Sequence, residues 1–257
     1  MPSIRPKKAL GQHFLHDQRT AQRIVNSLTG HGKYQHLVEV GPGMGALTRW
    51  LISLEGIELL CVETDQEAVE WLRQNLPGLE DRILHQDFLK AEPGVQLPGM
   101  FGLIGNFPYN ISNQIMFKVL EHRDCIPEVV GMFQKEVADR LCSPPGSKTY
   151  GILSVLLQAW YEIEILFHVK PGSFRPAPKV TSTVIRLQRN QLKALSCDER
   201  LFTKVVKAGF NQRRKTLRNA LKSLLPHATD TGSKLFDQRA EQLSVSQFVE
   251  LTNLLDS

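Results

Sequence analysis

The spacing of apolar positions changes several times along the chain, and each change predicts a different element. Behind Asp17, the residues Ala21, Ile24, Val25 and Leu28 fall at i, i+3, i+4 and i+7, which predicts a helix buried along one face, with the Asp17 carboxylate free to cap its first turn. Short apolar runs follow at 37–40, 57–62, 82–85, 101–104 and 128–133, each bounded by turn residues and of strand length. Between them, 46–54, 66–75 and 113–120 return to helical spacing. Strand then helix, repeated, predicts an α/β fold with a doubly wound, mostly parallel sheet. The runs 161–169 and 180–187, rich in aromatic and β-branched residues, flank a Pro-rich connection and predict an antiparallel pair that closes the sheet. Beyond Arg189 the pattern is helical only, with Leu201, Val205, Val206 and Phe210 at helical intervals. A large domain over 1–190 and a small all-α domain over 191–257 are therefore expected. Ser244 and Gln247 form a capping box ahead of Phe248, Leu251, Leu254 and Leu255. The clearest loop is 143–147, Ser-Pro-Pro-Gly-Ser, and there are no internal repeats.

Composition adds a partner class rather than a fold. A hydrophobic content of 42% and a charged content of 22% over 257 residues are ordinary globular values. The net charge is +5 with a pI near 9.0, a weak pointer to a polyanion that becomes stronger once the charge is located. Arg200, Lys204, Lys207, Arg213, Arg214, Lys215, Arg218 and Lys222 occur in one segment without any Asp or Glu. This predicts a local electropositive face, although a solvated helix face would have the same composition. Cys61, Cys125, Cys142 and Cys197 are far apart and lack metal-ligand spacing, so reduced structural thiols and no metal are expected. A basic leader, Met1 to Lys8, stands where an apolar signal core would be, and no apolar run is long enough to span a bilayer. The expectation is a soluble cytoplasmic protein with no membrane partner.

The first strand runs into Gly41-Pro42-Gly43-Met44-Gly45, a glycine turn entering a helix, where backbone can approach a ligand closely. Dinucleotide sites space their glycines G-x-G-x-x-G around a pyrophosphate. Here the spacing is G-x-G-x-G with a proline inside, which suits a nucleoside without phosphates better. Such a turn alone can be purely structural. The second strand, however, ends near Glu63, able to accept from ribose hydroxyls, and the third near Asp87, able to accept from an adenine amino group. Open α/β sheets bind ligands beyond the carboxyl ends of their strands, where these residues fall.

The fourth strand leads into Asn106-Phe107-Pro108-Tyr109. An exocyclic adenine amine is a poor nucleophile because its lone pair is delocalised into the ring, so an enzyme must favour the pyramidal form. The Asn106 side-chain oxygen and the Phe107 carbonyl can accept the two N–H protons, while Pro108 holds Phe107 extended and brings no competing N–H. Tyr109 offers a ring for stacking. No strong base is needed, because the amine becomes acidic on methylation. A base drawn from a helix or stack also needs an aromatic on its second face, and Phe174 in Gly-Ser-Phe-Arg-Pro-Ala-Pro is the candidate. Taken singly, each of these residues also has a structural reading.

Together these residues resemble the rRNA adenine N6-dimethyltransferases, most closely the small-subunit branch. The likeness runs through Gly11-Gln12-His13-Phe14-Leu15, the Gly41 turn, Glu63, Asp87, the Asn106 tetrapeptide, Gln134 to Val137, Phe174 to Ser182, and Phe210 to Arg218. It implies a Rossmann-like class I methyltransferase fold and S-adenosyl-L-methionine as methyl donor. It also implies a substrate of two adjacent adenosines near the 3′ end of small-subunit rRNA, within an immature small ribosomal subunit, methylated twice each by a monomer. For the site, the resemblance implies cofactor contacts from His13, Leu15, Gly41, Gly43, Glu63, Asp87 and Asn106. Tyr109 and Phe174 are implied to sandwich the target adenine, and Arg213, Arg214 and Lys215 to hold RNA. Two positions depart from the family's pattern. His13 stands where Asn is usual, and Phe107 where Leu or Ile is usual; since the role given to the latter uses the backbone carbonyl, that change should be tolerated. A large-subunit rRNA adenine methyltransferase and an assembly or RNA-binding factor with secondary methyltransferase activity remain as alternatives. The segments around Phe174 and Phe210 favour the small-subunit branch over the former, and the intact Glu63, Asp87, Asn106 and Tyr109 speak against a vestigial site.

Overall fold

A computed structural model of the chain describes residues 6–7, 11–224 and 232–256. In chain order the regular elements begin with a short strand β1 (Phe14–Leu15) and helix α1 (Gln18–Val25). Asp17 caps α1 as its spacing predicts, its Oδ1 accepting from the N–H groups of Arg19 at 3.1 Å and Thr20 at 3.3 Å, while Ala21, Ile24 and Val25 are buried. The sheet unit continues through β2 (His36–Val40), α2 (Thr48–Leu51), β3 (Glu58–Glu63), α3 (Gln66–Asn75), β4 (Ile83–His85), β5 (Gly102–Asn106), α4 (Ser112–Glu121) and β6 (Glu128–Gln134). Helices α5 (Lys135–Cys142) and α6 (Ile152–Gln158) precede the strands β7 (Tyr161–Val169), β8 (Phe174–Arg175) and β9 (Ser182–Arg189). The remaining helices are α7 (Glu199–Asn211), α8 (Leu217–Ala220) and α9 (Val245–Asp256).

Seven strands form one sheet in the order β4-β3-β2-β5-β6-β9-β7. The pairs among β4, β3, β2, β5 and β6 are parallel, and β9 runs antiparallel to β6, which is the expected doubly wound sheet with an antiparallel closing strand. The central strands are continuous apolar runs because helices cover both faces: β6 is buried from Glu128 to Phe133. Its one acid, Glu128, accepts from the Tyr34 hydroxyl at 2.7 Å, the Thr29 hydroxyl at 2.6 Å and the Gly30 N–H at 3.1 Å. The buried carboxylate is thus satisfied, and it ties the α1–β2 connection to the sheet.

Strand order reverses between β2 and β5, since β3 lies outside β2 on one side and β6 outside β5 on the other. Such a switch point opens a crevice at the strands' carboxyl ends. The residues that leave β2 and β5 there are Gly41 and Phe107.

The chain divides into two compact units, 1–138 with 162–189, and 139–161 with 190–257. A single cut at 190 therefore does not describe the division. The reason is α6, whose Leu153, Val155, Leu156 and Leu157 are buried and which packs on α7 and α9, so that an apolar helix between two strands joins the C-terminal helices. The capping box at the start of α9 forms as its spacing predicts, with Ser244 N–H donating to Gln247 Oε1 at 2.9 Å and Gln247 N–H to Ser244 Oγ at 3.3 Å. Of the predicted helix at 46–54 only Thr48–Leu51 is regular, because Gly45, at φ +67°, keeps the preceding residues in turns. All four cysteines are free.

Candidate active site

The glycine turn after β2 is a backbone cradle. Gly41 and Gly43 have φ of +67° and +54°, and a Cβ on Gly43 would stand 2.9 Å from the Phe14 ring. The turn accordingly closes against β1 with no room for a side chain. Gly43 N–H donates to Glu63 Oε2 at 3.1 Å, while Glu63 Oε1 accepts from Thr64 N–H at 2.8 Å and Asp65 N–H at 2.9 Å. Glu63 is 5% exposed, and burial raises its carboxyl above the ordinary range against the pull of these backbone donors. Asp87 ends the next strand connection and caps a 3-10 turn, its Oδ1 accepting from Leu89 N–H at 3.0 Å.

Glu39, on β2 beneath the turn, is the most perturbed acid here. It is fully enclosed, and burial pushes its carboxyl up to about 7 although Thr48 Oγ1 donates to it at 2.7 Å. Its place inside the sequence Glu39-Val40-Gly41 gave no sign of this, since burial depends on what packs over β2 from elsewhere in the chain.

At the end of β5, Asn106 Nδ2 donates to the His13 carbonyl at 2.9 Å. That bond fixes the amide's orientation and leaves Oδ1 as its acceptor face. Phe107 turns its ring inward: it is 1% exposed and meets Phe133 edge-on at 5.2 Å between centroids. Gly131 on β6 makes the space, because a Cβ there would lie 2.3 Å from the Phe107 ring. A large side chain at position 107 is accommodated by a strand glycine, and Phe107 is among the residues that line the crevice. Tyr109 is half-buried, with its hydroxyl 2.5 Å from Ser182 Oγ.

Two adjoining clefts meet at Tyr109. The first, about 240 Å³, is lined by the glycine turn, Glu39, Glu63, Asp87 and Asn106, with Met44, Leu47 and Phe88 as apolar walls, and among the described residues no Lys or Arg lines it. The second, about 1090 Å³, is lined by Arg49, Arg175, Lys179, Gln134 and the Pro176–Pro178 stretch, and among the described residues no Asp or Glu lines it. Gly11 to Leu15, Met44, Ala46 and Tyr109 border both.

The segment carrying Gly11 to Leu15 is pinned in place. β1 pairs antiparallel with β8, Leu15 opposite Phe174. Lys7 Nζ lies 2.6 Å from Asp65 Oδ1, and Gln12 Nε2 donates to Asp65 Oδ2 at 2.9 Å. Burial tends to raise the Asp65 carboxyl, but its bonds to Lys7 and Gln12 outweigh that and hold it below the ordinary range. This clasp carries no sequence signal, because Lys7 and Asp65 are far apart in the chain.

A model of the ribosomal RNA adenine dimethylases matches residues 4–257. The chain belongs to the ribosomal RNA adenine dimethylase family. It is similar to the ribosomal RNA small subunit methyltransferase A of Cytophaga hutchinsonii, at 56% identity with 99% of each chain covered, and to that of Parabacteroides distasonis, at 56% identity with 98% of this chain and 94% of the relative covered. Among solved structures, a dimethyladenosine transferase from Plasmodium falciparum has a TM-score of 0.78 at 21% identity over 93% of this chain and 96% of that one, a likeness of fold. The 23S rRNA methyltransferase ErmE has a TM-score of 0.68 at 26% identity over 93% of this chain and 99% of that one. The fold is that of the Rossmann-like class I methyltransferases.

Among the residues that the family resemblance singles out, Gly41, Gly43, Glu63, Asp87, Asn106 and Tyr109 line the first cleft together with His13 and Leu15. Three are placed otherwise than expected. Phe174 is 2% exposed and lines neither cleft, because its strand pairs with β1 and turns the ring into the core; it does not face Tyr109. The aromatic beside Tyr109 is His13, at 5.5 Å between centroids. The His13 ring is engaged at the wall of the second cleft, its Nδ1 lying 2.8 Å from the Pro176 carbonyl.

In the helical unit, Arg213 is engaged within its own fold, donating through Nη2 to the Lys148 carbonyl at 2.8 Å and lying 3.5 Å from Glu241. Arg213 thus braces the 143–147 loop region, while Arg214 and Lys215 are exposed. Among the described residues no group of three His, Cys, Asp or Glu is placed to hold a metal ion, and no helix is long and apolar enough to cross a membrane.

Proposed function

We propose that the chain transfers methyl groups from S-adenosyl-L-methionine to the N6 amines of two adjacent adenosines near the 3′ end of small-subunit rRNA, giving N6,N6-dimethyladenosines. The observation that carries this reading is the pairing of the two clefts, among the described residues one lined by acids without Lys or Arg and the other by Arg and Lys without an acid, both bordered by Tyr109. A cationic nucleoside donor suits the first, and a phosphodiester chain the second. The small-subunit specificity comes from the relatives' names.

The residues fit the donor. The glycine cradle would admit a ligand against bare backbone, Glu63 Oε2 keeps a lone pair that could accept from a ribose hydroxyl, Asp87 could accept from an amino group, and Met44, Leu47 and Phe88 would supply apolar walls for an adenine ring. Bound there, S-adenosyl-L-methionine supplies an electrophilic methyl group. The chain's own residues then do the rest. Asn106 Oδ1 and the Phe107 carbonyl accept the two amine protons and favour the pyramidal nitrogen, whose lone pair is then exposed for in-line attack. Tyr109 stacks the base, with Ser182 holding its hydroxyl. Arg49, Arg175 and Lys179 neutralise the phosphates flanking the extruded nucleotide, and Arg214 and Lys215 add phosphate contacts from the helical unit. The reading extends to an immature small ribosomal subunit as the natural substrate, to a cytoplasmic setting and to a monomeric enzyme that needs no metal.

The test is to map methylated adenines by mass spectrometry after reaction with immature small subunits, protein-free large-subunit rRNA and duplex DNA. Dimethylation of two neighbouring adenosines in the small-subunit rRNA is expected. Modification of large-subunit rRNA instead would overturn the substrate assignment.

A further inference from the structure

Three bonds converge on His13. Its backbone carbonyl accepts from Asn106 Nδ2 at 2.9 Å. Its ring leans on Tyr109, with centroids 5.5 Å apart and planes inclined by 32°. Its Nδ1 is 2.8 Å from the Pro176 carbonyl, and since a carbonyl can only accept, Nδ1 donates. The ring therefore bridges Tyr109 to the Pro176–Pro178 wall of the basic cleft.

We propose that the His13 side chain is a positioning residue for the target base, and that it acts by holding the Tyr109 ring from one side. The idea rests on the methyltransferase reading above and assigns a further residue to it. Tyr109 has two other attachments, its backbone at the end of the Asn106 tetrapeptide and its hydroxyl at Ser182, 2.5 Å away. Those two define an axis about which the ring can still rotate, and His13 closes that freedom. With His13 covering one face, the gap between the rings is an ordinary aromatic contact with no space for a base. An adenine can stack only on the opposite face, which fixes the direction in which its N6 meets Asn106 Oδ1. The Asn that the family usually carries here can reach the Pro176 carbonyl but has no ring to lay against Tyr109, so in this chain the base platform is made stiffer by an aromatic side chain.

The proposal is tested in the full-length protein with His13→Asn and His13→Phe. The backbone carbonyl that holds Asn106 survives in both. Three readouts are taken: S-adenosyl-L-methionine affinity by calorimetry, the methyl-transfer rate at saturating RNA, and the Tyr109 ring resonances by NMR in the protein alone. His13→Asn should leave cofactor affinity within about twofold while lowering the saturated rate roughly tenfold, the scale expected of a small misplacement of reacting atoms. His13→Phe restores the ring and should recover most of that rate. The Tyr109 resonances should move in His13→Asn and stay near their original positions in His13→Phe. A tenfold loss of cofactor affinity with an unchanged saturated rate would make His13 a donor ligand and overturn the proposal, as would a rate and Tyr109 spectrum that are the same in His13→Asn and the parent. Inactivity of the parent protein on every RNA would instead sink the methyltransferase reading. The NMR comparison would still decide whether His13 holds Tyr109.

Discussion

The two clefts share a wall and differ in almost everything else. The smaller is built from consecutive strand ends, Gly41 after β2, Glu63 at the end of β3, Asp87 after β4 and Asn106 at the end of β5, and its charges are acidic. The larger is assembled from Pro6, residues 11–16, Gln18, Met44, Ala46, Arg49, Tyr109, Gln134 and residues 175–180, and among the described residues the Arg and Lys side chains carry its charge. The difference teaches that one fold can hold a cation and a polyanion side by side when the sheet's switch point builds one site and the added segments build the other. His13 and Tyr109 stand at the seam.

The comparison sharpens first through Glu39, which lies under the acidic cleft. Its carboxyl is raised from an ordinary value of 4.5 to about 7 by burial. The folded chain therefore binds a proton at this group more readily than the unfolded chain between these values, so the contribution of Glu39 to stability is fully present below about 4.5 and is lost as pH rises through about 7. The cost of ionising this group is of the order of 3 kcal/mol. Glu39→Gln, which can still accept from Thr48, should flatten this part of the pH profile in urea unfolding at pH 5 and pH 8. Equal pH slopes for variant and parent would show that Glu39 is not the group responsible.

Removing the acid at the cleft mouth has a second, smaller effect. Glu63→Ala leaves the Gly43, Thr64 and Asp65 N–H groups without their acceptor. Cofactor affinity should fall by about 2 kcal/mol, roughly thirtyfold, with a lower Tm. RNA affinity at the basic cleft should stay as it was; a matching loss there would mean that the two clefts do not function separately.

The reciprocal change acts on the other side of the seam. In Arg175→Ala combined with Lys179→Ala, RNA affinity should weaken roughly tenfold and the slope of log affinity against log salt should drop by about 1.4, at about 0.7 per phosphate of a single strand. Calorimetry should find cofactor affinity unchanged. An unaltered salt slope would remove these two residues from the RNA contact.

The smallest effect is expected at Phe107. Phe107→Leu, with the side chain usual in the family, underfills the space beside Gly131 and should cost about 1 kcal/mol of stability. The saturated methylation rate should remain within about threefold, because the acceptor is the backbone carbonyl. A large loss of rate with little loss of stability would give the ring itself a part in the chemistry.

How legible each cleft was in the sequence follows from how it is made. Glu63, Asp87 and Asn106 were readable because a strand end is announced locally, by an apolar run that stops, and the sheet's own geometry then brings successive ends together. The Asp17 cap and the Ser244–Gln247 box were readable for the same reason, since each bonds within its own turn. Strands β1 and β8 were not, because two residues carry no period and their partners lie about 160 positions apart, as in the register Leu15 to Phe174. With that pairing unseen, Phe174 reads as the aromatic for the second face of the base when it is a core residue, and the basic lining by Arg49, Arg175 and Lys179 went unread. The helix α6 joined the C-terminal unit through packing that no local spacing reports. Arg213 showed the limit of charge counting, since its guanidinium is engaged by Lys148 and Glu241.

The central claim, that the acceptor pair of Asn106 and Phe107 in the first cleft drives methylation of adenine N6, is tested most directly by one quantity. It is the yield of N6-methyladenosine and N6,N6-dimethyladenosine in immature small-subunit rRNA, measured by mass spectrometry for the parent and for Asn106→Ala at saturating S-adenosyl-L-methionine. The account predicts two dimethylated neighbouring adenosines for the parent and a rate lower by about 10² to 10³ for the variant. A variant that dimethylates both adenosines at the parent's rate would contradict it.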